Sequence, residues 1–189
     1  MHRFMELMGF SEVLKAVFSE LPESYEEYRE GLDDKDNEKK IEKELKKCLI
    51  LWKDERKVTE EYYRAVDIVK IVLFLKDELA YRMWRAETEG NLYKEQPFVF
   101  SLPAKRVNAD IPTGERVLIQ GIIDAYFVED GQIVLMDYKT DNIKAMDELW
   151  KRYSTQLDYY EEAISMLTGL PVKEKLLYSF KLGLSGTAT

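Results

Sequence analysis

The spacing of hydrophobic residues along the chain changes near residue 90. Before that point, apolar residues recur three and four positions apart, which is the period of amphipathic helices. This pattern predicts a helix over Arg3–Leu21 that breaks at Gly9 and restarts with Ser11 as its N-cap. A polar, acidic connector is expected over Pro22–Asp36.

Two more helices are predicted before the change of period. Asn37 is the expected N-cap of the first, and its apolar stripe runs through Ile41, Leu45, Cys48, Leu49 and Trp52. Thr59 is the expected N-cap of the second, which is predicted to continue to Glu89 and stop at Gly90.

The second half of the chain favours strands. Strands are predicted over Leu92–Phe100, Val117–Val128, Gln132–Tyr138 and Lys173–Leu182, with a helix over Asp147–Thr168. The Asp130-Gly131 pair predicts a hairpin turn between the second and third strands. A strand–helix–strand ending implies a crossover, so a mixed sheet with a partly parallel edge is expected. We therefore predict an α/β fold in one domain over residues 1–189, with a mainly helical layer over 1–90 and a sheet core over 91–182.

Composition limits the functions that the chain can have. The net charge of −8 excludes nucleic-acid binding through bulk positive charge, because the basic patches (Lys105-Arg106, Lys139, Lys144, Lys151-Arg152) are small. The single cysteine, Cys48, excludes an iron–sulfur cluster held by four thiolates of this chain and is expected to be buried. No apolar run is long enough to cross a bilayer and no secretory signal is visible, so a cytoplasmic protein without a membrane partner is predicted.

The predicted hairpin carries the most informative charged residues. Side chains alternate along a strand, so Asp137 and Lys139 should project from one face, with Asp124 across the ladder from them. An unpaired carboxylate after an apolar run is costly, and either a metal ion or an Asp–Lys pair would offset that cost. Two carboxylates and a lysine suffice for metal-dependent phosphodiester cleavage. The alternative is an exposed ion pair that contributes about 0–1 kcal/mol.

Five residues outside the hairpin are further candidates, and one of them is Tyr153, an aromatic residue one turn before Gln156 on the last helix. Gln156 and Tyr160 are four positions apart and should share one face of the last helix. His2 is the only histidine, and Glu95 lies in a strand shortly before a proline. The alternatives are a histidine without a role, a solvent-facing edge-strand glutamate, a solvated Gln156 and a packed Tyr160.

The order of these motifs resembles a known family. The motifs are His2-Arg-Phe-Met-Glu6, Glu95-Gln-Pro-Phe98, Gly121-Ile-Ile-Asp124, Asp137-Tyr-Lys-Thr-Asp141 and Gln156-Leu-Asp-Tyr-Tyr160. Together they resemble the RecB-type nuclease domain of the PD-(D/E)XK superfamily, in the form of the C-terminal nuclease domain of AddA-type helicase–nuclease subunits. The superfamily name implies a proline before the first aspartate, whereas Ile123 stands there, as is common in RecB-like members.

The resemblance implies a restriction-endonuclease-like mixed sheet flanked by helices and a Mg²⁺-dependent deoxyribonuclease, an exonuclease of the helicase–nuclease type. It assigns His2, Asp124, Asp137 and the Tyr138 carbonyl to the metal, with Mn²⁺ as a possible substitute and no iron–sulfur cluster. Lys139 would orient the attacking water, and Gln156 and Tyr160 would support it or the phosphate. Glu95 would bind a second metal or a metal-bound water.

The resemblance also implies partners. These are DNA, expected as a single strand, helicase domains of a longer polypeptide from which the domain would be excised, and an AddB-like partner subunit. The expected role is the processing of double-strand breaks in DNA repair and recombination. Two alternatives stay open: a catalytically silent scaffold or assembly module of a helicase complex, and a stand-alone exonuclease that forms oligomers and prefers duplex DNA.

Overall fold

The computed structural model describes residues 1–107, 110 and 114–187. The first half is helical, with α1 (His2–Leu7), α2 (Phe10–Leu14), α3 (Tyr25–Asp33), α4 (Lys35–Asp54), α5 (Glu60–Ala65), α6 (Ile68–Leu75) and α7 (Glu78–Thr88). The second half contains β1 (Leu92–Pro103), a short 3₁₀ turn (Ala104–Arg106), β2 (Arg116–Glu129), β3 (Gln132–Lys139), α8 (Met146–Thr168), β4 (Val172–Ser179) and β5 (Leu184–Thr187).

The strands form one mixed sheet in the order β1-β2-β3-β4-β5. The β3–β4 pair is parallel because α8 crosses over between the two strands, and the other pairs are antiparallel. The mixed α/β architecture is confirmed and is compatible with a restriction-endonuclease-like fold. The parallel pair was predicted to lie at the edge of the sheet, but it lies inside because β5 pairs with β4.

The segment predicted as an acidic connector is helical, so that prediction was wrong. The Ser24 side chain caps α3 by accepting a hydrogen bond from the Glu27 N–H, and Tyr28 and Leu32 bury the inner face. Asn37 is not the cap of the next helix either. The Asp34 carboxylate accepts hydrogen bonds from the N–H groups at positions 36 and 37, so α4 begins earlier than predicted.

The long helix predicted after Thr59 is three helices. Thr59 caps the first as expected, but the carboxylates of Asp67 and Asp77 each cap a new helix and so divide the segment. Gly90 follows the last of these helices with a φ of +73°, which confirms its role as the stop signal. Ser11 is not an N-cap, because α2 begins at Phe10 with Gly9 in the cap position.

All four predicted strands and the last helix match the observed bounds within three residues at each end, and the fourth strand is the one that ends early. That strand was predicted to reach Leu182, but β4 ends at Ser179 and the chain turns through Gly183, with a φ of +71°, into the unpredicted β5. Within the described residues, no helix has the length and apolar character to span a bilayer. The division of residues 1–189 into one excised domain stays a prediction.

Each face of the sheet has its own hydrophobic core. Along β3, Val134, Met136 and Tyr138 face helices α1–α7, whereas Ile133 and Leu135 face α8. Cys48 belongs to the first core and is 5% exposed, as predicted for a structural thiol. The alternation of β3 places Asp137 and Lys139 on the α8 side, where the sequence pattern turns from apolar to charged.

Candidate active site

Three acidic residues occupy neighbouring positions on β1, β2 and β3, level with the end of β3. The β1–β2 register pairs Lys94 with Ala125 and Gln96 with Ile123, which leaves Glu95 opposite Asp124. The β2–β3 register pairs Ala125 with Met136, so Asp124 and Asp137 follow directly beyond that pair. The structure therefore confirms that Asp124 lies across the hairpin from Asp137 and adds Glu95 on its other side.

Glu95 has a backbone conformation that is unusual for its residue type. Its φ is +49°, in the left-handed region, although it lies inside a strand. Such a conformation costs on the order of 1–3 kcal/mol in a residue with a side chain, and it is found preferentially at functional sites. Burial and the negative charge of Asp124 raise the pKa of the Glu95 carboxyl.

Asp137 and Lys139 form a close ion pair on the α8 side. The Lys139 Nζ lies 2.5 Å from the Asp137 Oδ2, and the two residues are 2% and 9% exposed, respectively. The Lys139 ammonium also donates to the Gln156 Oε1 at 3.1 Å and lies 3.7 Å from the centre of the Tyr153 ring. The exposed surface pair considered as an alternative is therefore wrong, because both groups are buried.

Gln156 and Tyr160 share one face of α8, as their spacing predicts. The Gln156 Nε2 donates to the Tyr160 hydroxyl at 2.8 Å, so a continuous chain of polar contacts runs from Tyr160 through Gln156 and Lys139 to Asp137. Burial and the charges of Asp137 and Asp124 raise the pKa of Tyr160, which keeps its phenol protonated. Gln156 thus fixes the lysine and the phenol relative to each other.

The electrostatics of Asp137 are dominated by its burial and by the neighbouring Asp124 charge. Burial and the charge of Asp124 raise the pKa of Asp137 to about 7, although Lys139 opposes the shift. Two carboxylates this close are strained electrostatically unless a proton or a cation lies between them.

His2 reaches this end of the sheet from the first helix. Its Nε2 lies 2.6 Å from the Tyr138 carbonyl oxygen and 3.4 Å from the Asp124 Oδ2. The same Asp124 oxygen accepts a hydrogen bond of 2.8 Å from the Tyr138 N–H. All residues proposed from the sequence are therefore brought to one region, and His2 is among them despite its place next to the start of the chain.

Two residues around the site were missed by the sequence analysis. The Lys94 ammonium donates to the carbonyl oxygens of Met5 and Met8 at the end of α1, and so ties the helix that carries His2 to β1. The Asp141 carboxylate accepts a hydrogen bond of 3.0 Å from the Tyr153 hydroxyl, which orients the ring over Lys139. Only the position of Lys94 beside Glu95 and of Asp141 in the Asp137-Tyr-Lys-Thr-Asp141 string could have indicated them.

The donor groups at this end of the sheet differ in how well they suit a divalent cation. Among the residues that the structure describes, no three histidine, cysteine, aspartate or glutamate side chains are grouped closely enough to hold a metal by themselves. The close set is the His2 Nε2, the Tyr138 carbonyl oxygen and the Asp124 Oδ2, beside the Asp137 carboxylate. Carboxylate and carbonyl oxygens suit Mg²⁺ or Mn²⁺, and an imidazole favours Mn²⁺, so the residues fit such an ion when the backbone carbonyl is included.

Comparison with known proteins finds similarity to long helicase–nuclease proteins, while no family model matches the chain. The chain is 36% identical over 151 residues to an ATP-dependent helicase/nuclease subunit of Clostridium botulinum (strain Loch Maree / Type A3), covering 78% of the chain and 11% of that protein. It is 39% identical over 129 residues to the protein of the same name in strain Langeland, covering 66% and 10%. For the protein of that name in Clostridium kluyveri the identity is 37% over 127 residues, covering 65% and 10%. The chain is thus a homologue of a segment of these proteins and spans about a tenth of their length.

Proposed function

We propose that this chain is a divalent-metal-dependent deoxyribonuclease that hydrolyses the phosphodiesters of single-stranded DNA delivered by a helicase. One observation carries the proposal: Asp124, Asp137 and Lys139 converge at the end of one hairpin, with the ammonium 2.5 Å from a buried carboxylate. The relatives' name, which contains both "helicase" and "nuclease", supports the same reading.

The proposed cofactor is Mg²⁺, with Mn²⁺ as a substitute. Asp124, Asp137, His2 and the Tyr138 carbonyl would hold the ion, and Glu95 would hold a second ion or a water bound to the first. When bound, such an ion lowers the pKa of its water and neutralises charge on the scissile phosphate.

The protein's own groups prepare the phosphate and the attacking water. The Lys139 ammonium is held by Asp137 and Gln156. Its third N–H can therefore donate a hydrogen bond to a phosphate oxygen or to the water from a fixed position. The Tyr160 hydroxyl oxygen accepts a hydrogen bond from the Gln156 amide, so its O–H can donate a hydrogen bond to a phosphate oxygen. Both donors would stabilise the negative charge that develops in the transition state.

The charge of the chain supports delivery of the strand by other domains. A net charge of −8 gives weak intrinsic affinity for a polyanion, so we propose that helicase domains of a longer polypeptide and an AddB-like subunit present the DNA. The biological role would then be the processing of broken DNA ends in repair and recombination.

The test is cleavage of a labelled single strand with Mg²⁺ or Mn²⁺, with EDTA as the metal-free control. We expect metal-dependent cutting by the wild-type chain and none by Asp137→Asn. The matched control is Asp130→Asn, which makes the same change at the turn of the same hairpin, where the carboxylate is exposed and pairs with Lys173. Cutting by Asp137→Asn would refute the assignment.

The same experiment separates the nuclease from a catalytically silent scaffold. A scaffold would show no cutting by the wild-type chain under any metal, and calorimetry would then show no Mn²⁺ binding that depends on Asp124 and Asp137. Metal binding that is lost in Asp137→Asn, without cutting, would instead indicate a competent site that lacks its delivery domains.

A further inference from the structure

A cavity of about 350 Å³ lies directly beside the candidate active site, between the β1–β2 pair and α8. Its walls include Phe98 on β1, Ile119 and Gly121 on β2, and Gln156, Tyr159 and Tyr160 on α8. The volume is at the lower end of the range of about 300–1,000 Å³ that is typical of small-ligand sites. None of the proposed catalytic steps uses this space.

Gln156 connects the cavity to the charged residues. Its side chain lines the cavity, while its Oε1 accepts a hydrogen bond from Lys139 and its Nε2 donates to Tyr160. The cavity therefore begins one side chain away from the Lys139–Asp137 pair. If the phosphate of a ligand lies at that pair, the chemical group next to the phosphate would lie in the cavity.

Gly121 leaves the space that the Phe98 ring occupies in the aromatic wall of the cavity. A Cβ at this position would lie 2.8 Å from the Phe98 Cζ, so only glycine lets the Phe98 ring cross the neighbouring strand. The ring packs edge-on against Tyr160, with 5.5 Å between the ring centres. Phe98 is 5% exposed, so its ring is packed into the protein rather than extended into solvent.

The lining favours a flat aromatic ligand. Phe98, Tyr159 and Tyr160 supply aromatic rings and Ile119 an aliphatic surface, with polar side chains of Gln120 and Thr155 at the lining as well. Proteins that bind single-stranded nucleic acid stack the bases on aromatic side chains, and this stacking does not depend on positive charge. An acidic chain that handles DNA needs such a source of affinity.

We propose that this cavity binds one unstacked nucleobase of the strand whose neighbouring phosphate lies at Asp124, Asp137 and Lys139. The proposal rests on the proposed function and deepens it by giving the site a reason to prefer single strands. A base inside a duplex is paired and stacked on its neighbours, so it cannot enter the cavity without the cost of unstacking. Duplex DNA would therefore be a poor ligand even where its phosphates fit.

The test measures binding without metal, so it does not depend on catalysis. Two probes are titrated into the 189-residue chain in EDTA: a short labelled thymidylate oligonucleotide, and the same oligonucleotide with abasic residues and therefore equal phosphate charge. We expect the thymidylate to bind about tenfold more tightly, which is the effect of one stacked base. Tyr159→Ala should remove this preference, and Tyr159→Phe should retain it.

The matched control is Tyr93→Ala, which removes a partly exposed tyrosine from β1 outside the cavity and should leave the base preference unchanged. Equal affinity of the wild-type chain for both probes, absence of binding by either, or a preference that persists in Tyr159→Ala would overturn the proposal. Failure of the nuclease assignment would look different, because the base preference would then remain while Mg²⁺-dependent cutting was absent.

Discussion

The two faces of the sheet differ most where β3 ends. On the face toward α1–α7, Tyr138 packs its ring between Phe74 and Phe180, with ring centres 5.7 Å and 5.8 Å away. On the opposite face, its neighbours Asp137 and Lys139 form a buried ion pair under α8. A single step along the strand separates a hydrophobic core from a charged site. The alternation of side chains thus lets one short segment contribute one set of residues to the hydrophobic core and the other set to the candidate site.

The largest expected effect concerns the apolar face. Phe74 is fully buried and its ring contacts Tyr138, Tyr178 and Phe180, so Phe74→Ala should lower the free energy of unfolding by about 3–5 kcal/mol. Urea unfolding followed by circular dichroism measures this change. A loss below about 1 kcal/mol would show that the helical layer contributes little to the fold. Cleavage per folded molecule should stay within severalfold of the wild type.

The second prediction concerns the charged face, where a substitution should reduce cleavage and leave the fold intact. Lys139→Ala should reduce cleavage of a single strand by about 10²–10³-fold, the usual cost of removing a donor that stabilises transition-state charge. The fold should persist, because the pKa of Asp137 is already raised to about 7 and the carboxyl can take up a proton. Lys144→Ala, at an exposed lysine just beyond the strand, is the control. Wild-type cleavage by Lys139→Ala would contradict the role proposed for the charged face.

A third prediction tests α1, which belongs to the helical layer but carries His2 to the charged face. Lys94 holds the end of α1, and α1 carries His2 to the Tyr138 carbonyl. Lys94→Met should weaken Mn²⁺ binding by about tenfold, the lower end of the effect of residues that orient metal ligands. Calorimetry measures the affinity, and Lys43→Met on the exposed side of α4 is the control. Unchanged affinity in Lys94→Met would mean that α1 stays docked without this anchor.

The smallest effect is expected at the turn end of the hairpin, far from the charged site. Burial raises the pKa of Glu129, but hydrogen bonds from Arg82 and Lys173 outweigh it and lower the pKa to about 2. The stabilisation is therefore complete above the ordinary carboxyl value of about 4.5 and is lost as the pH falls toward 2. Glu129→Gln should reduce stability by at most about 1 kcal/mol at pH 7, since the groups are partly exposed. The difference between variant and wild type should vanish near pH 2 in urea titrations, and a constant difference would contradict the assignment.

The parts of the site that follow from a strict period were predictable from the sequence. Asp137 and Lys139 share a face because strands have a period of two, and Gln156 and Tyr160 meet because helices return after four residues. These rules act over a few residues, so they hold without knowledge of the tertiary structure.

The parts that were missed depend on contacts between distant segments. α3 was taken for a connector because its exposed side is acidic, and only Tyr28 and Leu32 reveal the buried side. The Lys94 ammonium donates to carbonyl groups that lie 86 and 89 positions away in the sequence. No pattern near Lys94 in the sequence indicates these contacts. The left-handed backbone of Glu95 was equally invisible, since glutamate has no preference for that conformation.

The contact between His2 and the Tyr138 carbonyl has a thermodynamic consequence. The two residues are 136 positions apart, so an unfolded or half-folded chain cannot bring them together. A cation held by both would bind the native state alone, and each tenfold excess over its dissociation constant would add about 1.4 kcal/mol to stability. The melting temperature of the protein would then rise with the ion concentration. The proposed cleavage activity would appear only after folding is complete. A nascent or damaged copy would be harmless to the DNA around it.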